Sequence, residues 1–123
     1  IIKLPITEII TKHNFFDYSA KYNFVENNEI ITKEITPAEI PENVEIECKN
    51  LSEKIYNYLN CNGVCRIDYI LKDNELFFLE INTIPGMSEQ SIIPNQAKIA
   101  GISLTQLSSM LIEDAIYRKN NNI

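Results

Sequence analysis

The stretch "VCRIDYILKDNELFFLEIN", residues 64–82, decides how this chain is read. Two runs rich in β-branched and aromatic residues, "VCRIDYILK" (64–72) and "LFFLEIN" (76–82), flank Asp73-Asn74-Glu75. Such runs on either side of a short turn-forming segment predict an antiparallel hairpin. Side chains alternate along a strand, so Arg66 and Asp68 share one face of the first, and Glu80 and Asn82 share one face of the second. Whether the two pairs meet depends on the turn. A three-residue turn sets 72 opposite 76, hence Asp68 opposite Glu80 and Arg66 opposite Asn82. A two-residue turn reverses the parity and separates them. The three-residue turn is expected, because it gathers Ile67, Tyr69 and Leu71 with Ile81, Leu79 and Phe77 into one apolar layer on the other face. Carboxylates directly opposed across a ladder repel, and a divalent cation removes the repulsion. An all-oxygen set suits magnesium, which takes one or two carboxylates and completes its shell with water and phosphates. The plain alternative is a pair of exposed strand carboxylates partnered by Arg66.

The hairpin runs directly into "EINTIPGMSEQSIIP", residues 80–94. Pro85-Gly86 predicts a turn, and Ser91 stands where a helix N-cap belongs, with Pro94 inside the first turn, where proline is tolerated. Free amides there, that of Ile92 first, would face a bound anion. Taken alone, Ser91 reads equally as a capping serine and Gly86 as a turn glycine.

The rest of the chain supports an α+β fold, an antiparallel sheet with helices packed on one face. Residues 1–11 and 29–35 read as strands, and residues 14–24, "NFFDYSAKYNF", as an ordered loop. Pro37 and Pro41 punctuate the segment after the second of these strands. From Pro41 to Asn60, the residues Val44, Cys48, Leu51, Ile55 and Leu59 recur at helical spacing, and Asn62-Gly63 is expected to end that helix. Ser103 with Gln106 makes a capping box, and Ile102 with Leu107 makes a hydrophobic staple; together they start a last helix running to about Arg118. The Asn-rich tail is expected to fray.

Composition sets bounds. The 123 residues suit one modest domain, and 45% hydrophobic with 23% charged residues is ordinary for a globular protein. A net charge of −6 with no basic patch argues against nucleic-acid binding. No apolar run reaches the roughly 18 residues of a membrane span, and no signal peptide is read at the start. The opening "IIKLPITEII", apolar and without an initiator Met, is expected to be a strand cut from a longer chain. Cys48, Cys61 and Cys65 lack CxxC spacing and the single histidine, His13, is distant in sequence, so reduced structural thiols in a cytoplasmic protein are expected rather than zinc.

The order R-I-D … E-I-N-T-I-P-G-M … S, preceded by F-F-D-Y-x-A-K-Y, resembles the D-alanine–D-alanine ligases of the ATP-grasp superfamily, over nearly the whole chain. The resemblance implies that residues 1–123 are a C-terminal ATP-grasp subdomain, without the N-terminal substrate domain and the small ATP-grasp subdomain that grip the first D-alanine and ATP. It implies that Asp68, Glu80 and Asn82 bind two magnesium ions (or manganese), with Glu80 bridging. Arg66 falls near the transferring phosphoryl group, and Gly86 where an amide helps form the oxyanion hole. Ser91 and the amide of Ile92 fall where the second D-alanine's carboxylate is held. Lys21 falls in a loop that contacts ATP, Tyr22 closes on the second-substrate pocket, and Phe15 borders the adenine. Gln90 departs from the family, where many members have histidine just before the serine. The implied activity is ATP-dependent joining of two D-alanines for peptidoglycan synthesis in the cytoplasm, by an enzyme that is often a homodimer. This chain alone is expected to bind ATP poorly and not to ligate alanine. The alternatives are another ATP-grasp carboxylate–amine ligase, and a non-catalytic binding domain that has kept the fold.

Overall fold

The structure is a computed structural model that describes residues 1–11, 25–26, 29–30 and 32–122. Its strands are β1 (Glu8–Thr11), β2 (Val25–Glu26), β3 (Glu29–Ile30), β4 (Thr32–Ile35), β5 (Arg66–Lys72) and β6 (Glu75–Asn82). Its helices are α1 (Glu42–Tyr58), α2 (Ile92–Ile99) and α3 (Leu104–Asn120). The strands pair as three antiparallel two-stranded ladders, β1 with β4, β2 with β3 and β5 with β6. The α+β class read from the sequence holds.

Two strand readings need correction. The first eleven residues give only a four-residue strand, because β4 offers four partners before Thr36-Pro37 interrupts it. Upstream of β1 a single further bond, from the Ala38 amide to the Ile6 carbonyl at 2.8 Å, continues the pairing. Pro5 has no amide hydrogen to give a ladder. The run 29–35 serves two ladders rather than one strand: Ile30 pairs with Val25, whereas Ile35 pairs with Glu8. The loop expected over 14–24 lies outside the described residues.

Helix α1 starts behind Pro41 with Glu42 and Glu45 in its first turn, where carboxylates suit the positive end of the helix dipole. It ends earlier than Asn62-Gly63. Asn60 takes a left-handed φ of 53°, the Cys61 amide bonds the Tyr56 carbonyl at 3.0 Å, and the Asn60 amide bonds the Asn57 carbonyl at 3.1 Å. That is a Schellman ending, with asparagine in the position glycine usually takes. Helix α2 closes in the same way. Gly101 adopts φ +85°, and the amides of Ile102 and Gly101 bond the carbonyls of Ala97 and Lys98 at 2.8 and 3.0 Å. The chain then enters α3 at Ser103, where the expected capping box is present in both directions, at 3.1 and 2.8 Å.

The core sits where these junctions converge. Ile93 and Ala97 of α2 and Leu107 of α3 are buried, with Leu4, Val64, Met87, Ile102 and Leu111 packed against them. Val44 and Cys48 form the buried stripe of α1. A Lys3–Glu53 ion pair at 2.9 Å ties the first segment to α1. The three cysteines are free thiols.

Between α1 and β5 the chain is knitted by the Tyr56 hydroxyl, which donates to the Gly63 carbonyl at 2.6 Å. Burial, with the adjacent Cys61 second, pushes the Cys65 thiol here up to about 11, from an ordinary 9.0. In that window the folded chain keeps a proton the unfolded chain releases. The associated stability is therefore intact below about pH 9 and lost as pH climbs to about 11. Urea midpoints measured across this range should fall, and Cys65→Ser should flatten the fall. A residual slope will come from Tyr56 and Tyr69, whose phenols burial also pushes up.

Candidate functional site

The hairpin places the polar quartet together, by a route that strand alternation alone does not reveal. Its turn has two residues: Asp73 and Asn74 both sit at left-handed φ, 52° and 60°, and Lys72 pairs with Glu75. Both central residues at positive φ is the tight hairpin turn whose twist matches the flanking strands. The expected three-residue turn is therefore corrected to two. This register continues through Leu71↔Leu76, Ile70↔Phe77 and Tyr69↔Phe78, and extended further it would set Asp68 against Leu79. It does not extend further. The register shifts between Asp68 and Tyr69, and beyond the shift Asp68 pairs with Glu80, Ile67 with Ile81 and Arg66 with Asn82. Leu79 is the extra residue of a β-bulge, and the bulge cancels the parity change that the short turn introduced.

The apolar layer is accordingly different from the expected one. Ile67, Tyr69 and Leu71 face the same way as Ile81, Phe78 and Leu76, whereas Phe77 lies opposite Ile70 on the face of Asp68. Toward α1, Tyr69 and Phe78 meet edge-to-face with ring centres 6.3 Å apart, and the Tyr69 and Ser52 hydroxyls are 2.9 Å apart.

On the polar face Arg66 grips Asp68 with two bonds, Nε to Oδ1 at 2.9 Å and Nη2 to Oδ2 at 3.2 Å. The side chains retain only 17% and 23% of their exposure, which protects this pair from much of the screening a surface ion pair suffers. Asn82 accepts the Ile84 amide on Oδ1 at 3.0 Å, an Asx turn that bends the chain off the sheet toward Pro85 and Gly86. Two carboxylates directly opposed, with a carboxamide two residues along, make an oxygen donor set that fits magnesium. Each Asp68 oxygen takes one bond from Arg66 and the Asn82 carbonyl oxygen takes one from Ile84, so each keeps a further lone pair. Among the described residues no group of three or more His, Cys, Asp or Glu side chains is placed to hold a metal ion.

At the helix start, Ser91 occupies the N-cap position of α2, as read from the sequence, but its side chain does not cap. Pro94 removes one of its two usual partners. A capping serine bonds the amide of the second or third helical residue, and the third here is a proline with no N–H. The Ser91 hydroxyl instead pairs with that of Ser88 at 2.7 Å. The amides of Ile92 and Ile93 are left as the first-turn donors. Gly86 lies close to Ser91: a Cβ there would sit 2.9 Å from Ser91 Oγ, so the hydroxyl would have to shift. Sequence reasoning passed over Ser88, although its spacing of three from Ser91 was the available signal, and over Ser52 beneath the hairpin, for which there was none. Phe15, Lys21 and Tyr22 lie outside the described residues. A cleft of about 850 Å³ runs between the first segment, α1 and β5; Arg66, Asp68 and Ile92 touch it, but Glu80, Asn82 and Ser91 do not. Its walls are mostly apolar.

A profile described as "D-ala D-ala ligase C-terminus" matches residues 2–113. The chain belongs to that family. Relatives of this ligase family include a D-alanine–D-alanine ligase of Azobacteroides pseudotrichonymphae genomovar. CFP2, 43% identical over 91% of this chain and 33% of its own. Another, from Flavobacterium johnsoniae, is 44% identical over 89% and 32%. Among solved structures, the D-alanine–D-alanine ligase of Bacillus anthracis complexed with ATP superposes with a TM-score of 0.78 at 32% identity, over 98% of this chain and 38% of that one. The VanG D-Ala:D-Ser ligase of Enterococcus faecalis gives a TM-score of 0.69 at 30% identity over 89% and 31%. The chain thus spans about a third of the length of the curated relatives it matches.

The close approach of Gly86 to Ser91 is directly testable. Gly86→Ala should force the Ser91 hydroxyl off Ser88 and cost about 1 kcal/mol in urea denaturation, the net worth of one hydrogen bond. An unchanged midpoint, with Ser91 still on Ser88 in a structure of the variant, would show that the backbone yields instead.

Proposed function

We propose that the chain is the C-terminal part of an ATP-dependent D-alanine–D-alanine ligase that makes a peptidoglycan precursor through an acyl-phosphate intermediate. One observation carries the reading: a bulged hairpin brings Arg66, Asp68, Glu80 and Asn82 to one face and leads straight into the Ser91 helix start, in a member of the ligase family.

Asp68, Glu80 and Asn82 would hold magnesium, two ions by family resemblance, with manganese as a substitute. Bound there, the cations neutralise charge on the phosphoryl oxygens of ATP. Arg66 supplies a further positive charge to the transferring group once it releases one of its two bonds to Asp68. The carboxylate of one D-alanine takes the γ-phosphoryl group to give the acyl phosphate. The amine of the second attacks its carbonyl carbon, and phosphate leaves from the tetrahedral intermediate. The Gly86 amide is assigned to the oxyanion of that intermediate. The Ser91 hydroxyl and Ile92 amide are assigned to the second D-alanine's carboxylate, which the unbonded first-turn amides of α2 suit. Lys21 and Phe15 are assigned to ATP and Tyr22 to closure over the second substrate. The remaining two-thirds of a ligase chain would grip the first D-alanine and the ATP phosphates, and the enzyme would act in the cytoplasm. The likeness to a D-Ala:D-Ser ligase makes D-serine the competing second substrate to assay.

The test is phosphate release and dipeptide formation by the ligase chain that carries these residues, with D-alanine, D-serine and D-lactate as second substrates. Asp68→Asn and Glu80→Gln should each lower kcat at least about a hundredfold. Melting temperature should hold in Glu80→Gln, which relieves like-charge repulsion, and fall only slightly in Asp68→Asn, which also loses the ion pair with Arg66. Retained activity with a large loss of stability would overturn the assignment.

A further inference from the structure

The bulge poses a question that the site itself does not answer: what keeps the register shift where it is. Without it, the two-residue turn would run the ladder on unbroken, Glu80 would fall opposite Ile67, and its carboxylate would point to the face that packs on α1. The shift lies between Asp68 and Tyr69. Asp68 is held on the polar face by Arg66. Tyr69, the next residue along, is held on the opposite face, where its hydroxyl meets that of Ser52 in α1 at 2.9 Å and its ring meets the edge of Phe78, its partner across the ladder.

We propose that Ser52 and Tyr69 are positioning residues, whose hydroxyl pair pins β5 to α1 at the register shift and so fixes Asp68 against Glu80. The proposal rests on the metal-binding role assigned above to that face. Pinning one side chain of a strand fixes the peptide that joins it to the next, and with it the direction of the neighbouring side chain on the other face. The Arg66 grip cannot serve this purpose throughout a reaction, since the guanidinium is assigned to the phosphoryl group. The Ser52–Tyr69 contact lies on the far side of the sheet and persists when Arg66 moves. Burial pushes the Tyr69 phenol up, and the Cys48 thiol beside Ser52 likewise. Both stay neutral at physiological pH, so the contact does not titrate with the site it supports.

The test measures Mn2+ affinity by electron paramagnetic resonance in the ligase chain, for the unaltered protein, Ser52→Ala, Tyr69→Phe, Ser52→Thr and Asp68→Asn. Ser52→Ala and Tyr69→Phe should each weaken Mn2+ binding about tenfold, the size seen when a ligand loses its outer support. Ser52→Thr, which keeps the hydroxyl, should restore it, and the KM for D-alanine should not move. A merely structural role would lower melting temperature without this split. Unchanged Mn2+ affinity in both variants, with binding lost in Asp68→Asn, would overturn the positioning role and leave the metal reading standing. Absence of Mn2+ binding by the unaltered chain would overturn the metal reading itself. Should Tyr69→Phe fail to fold, the comparison of Ser52→Ala with Ser52→Thr decides the matter alone.

Discussion

Two carboxylates facing each other across an antiparallel ladder are an arrangement that electrostatics opposes. The hairpin accepts this because its other face leaves little choice. Ile67 with Ile81, Tyr69 with Phe78 and Leu71 with Leu76 all look the same way, and the register that lets them do so carries Asp68 and Glu80 into opposition. Arg66 offsets part of the repulsion by holding Asp68 with both ends of its fork. The opposition of the two carboxylates thus arises from how the apolar side is packed.

The second half of the site is set by small backbone devices. Pro94 removes one of the two amides that a capping serine would use, and the Ser91 hydroxyl pairs with Ser88 instead. Gly86 passes so close to Ser91 that any side chain would displace it. At the other end of α2 the Gly101 turn leads directly into the capping box of α3, so the helix that presents those amides is clamped by the core around Ile93, Ala97 and Leu107. A short helix with its body buried and its N-terminus unbonded is well placed to receive an anion.

Much of this was legible in the sequence, because local chemistry dictates it. The capping box at Ser103, the N-cap position of Ser91, the helix between Pro41 and Asn60 and the hairpin across Asp73-Asn74-Glu75 (though not its turn length) each come from residues within a few positions of one another. Some local signals were misassigned. Asn60, not Gly63, takes the left-handed turn that ends α1, since the Schellman bonds to Tyr56 and Asn57 come within reach there first. The run 29–35 divides between two ladders because a strand's partners are chosen by the chain that returns to meet it.

What the sequence determined by itself was the alternation along each strand: Arg66 with Asp68, Glu80 with Asn82, fixed by the pleat whatever the surroundings. Which faces those pairs would share was decided by tertiary structure. Turn length alone sends Glu80 to the wrong side, and the extra residue at Leu79 returns it. The bulge lies at the step where Tyr69 meets Ser52, in a helix whose nearest residue in sequence to β5 is already several positions away. Parity is a property of one strand; register belongs to two strands and to whatever they pack against.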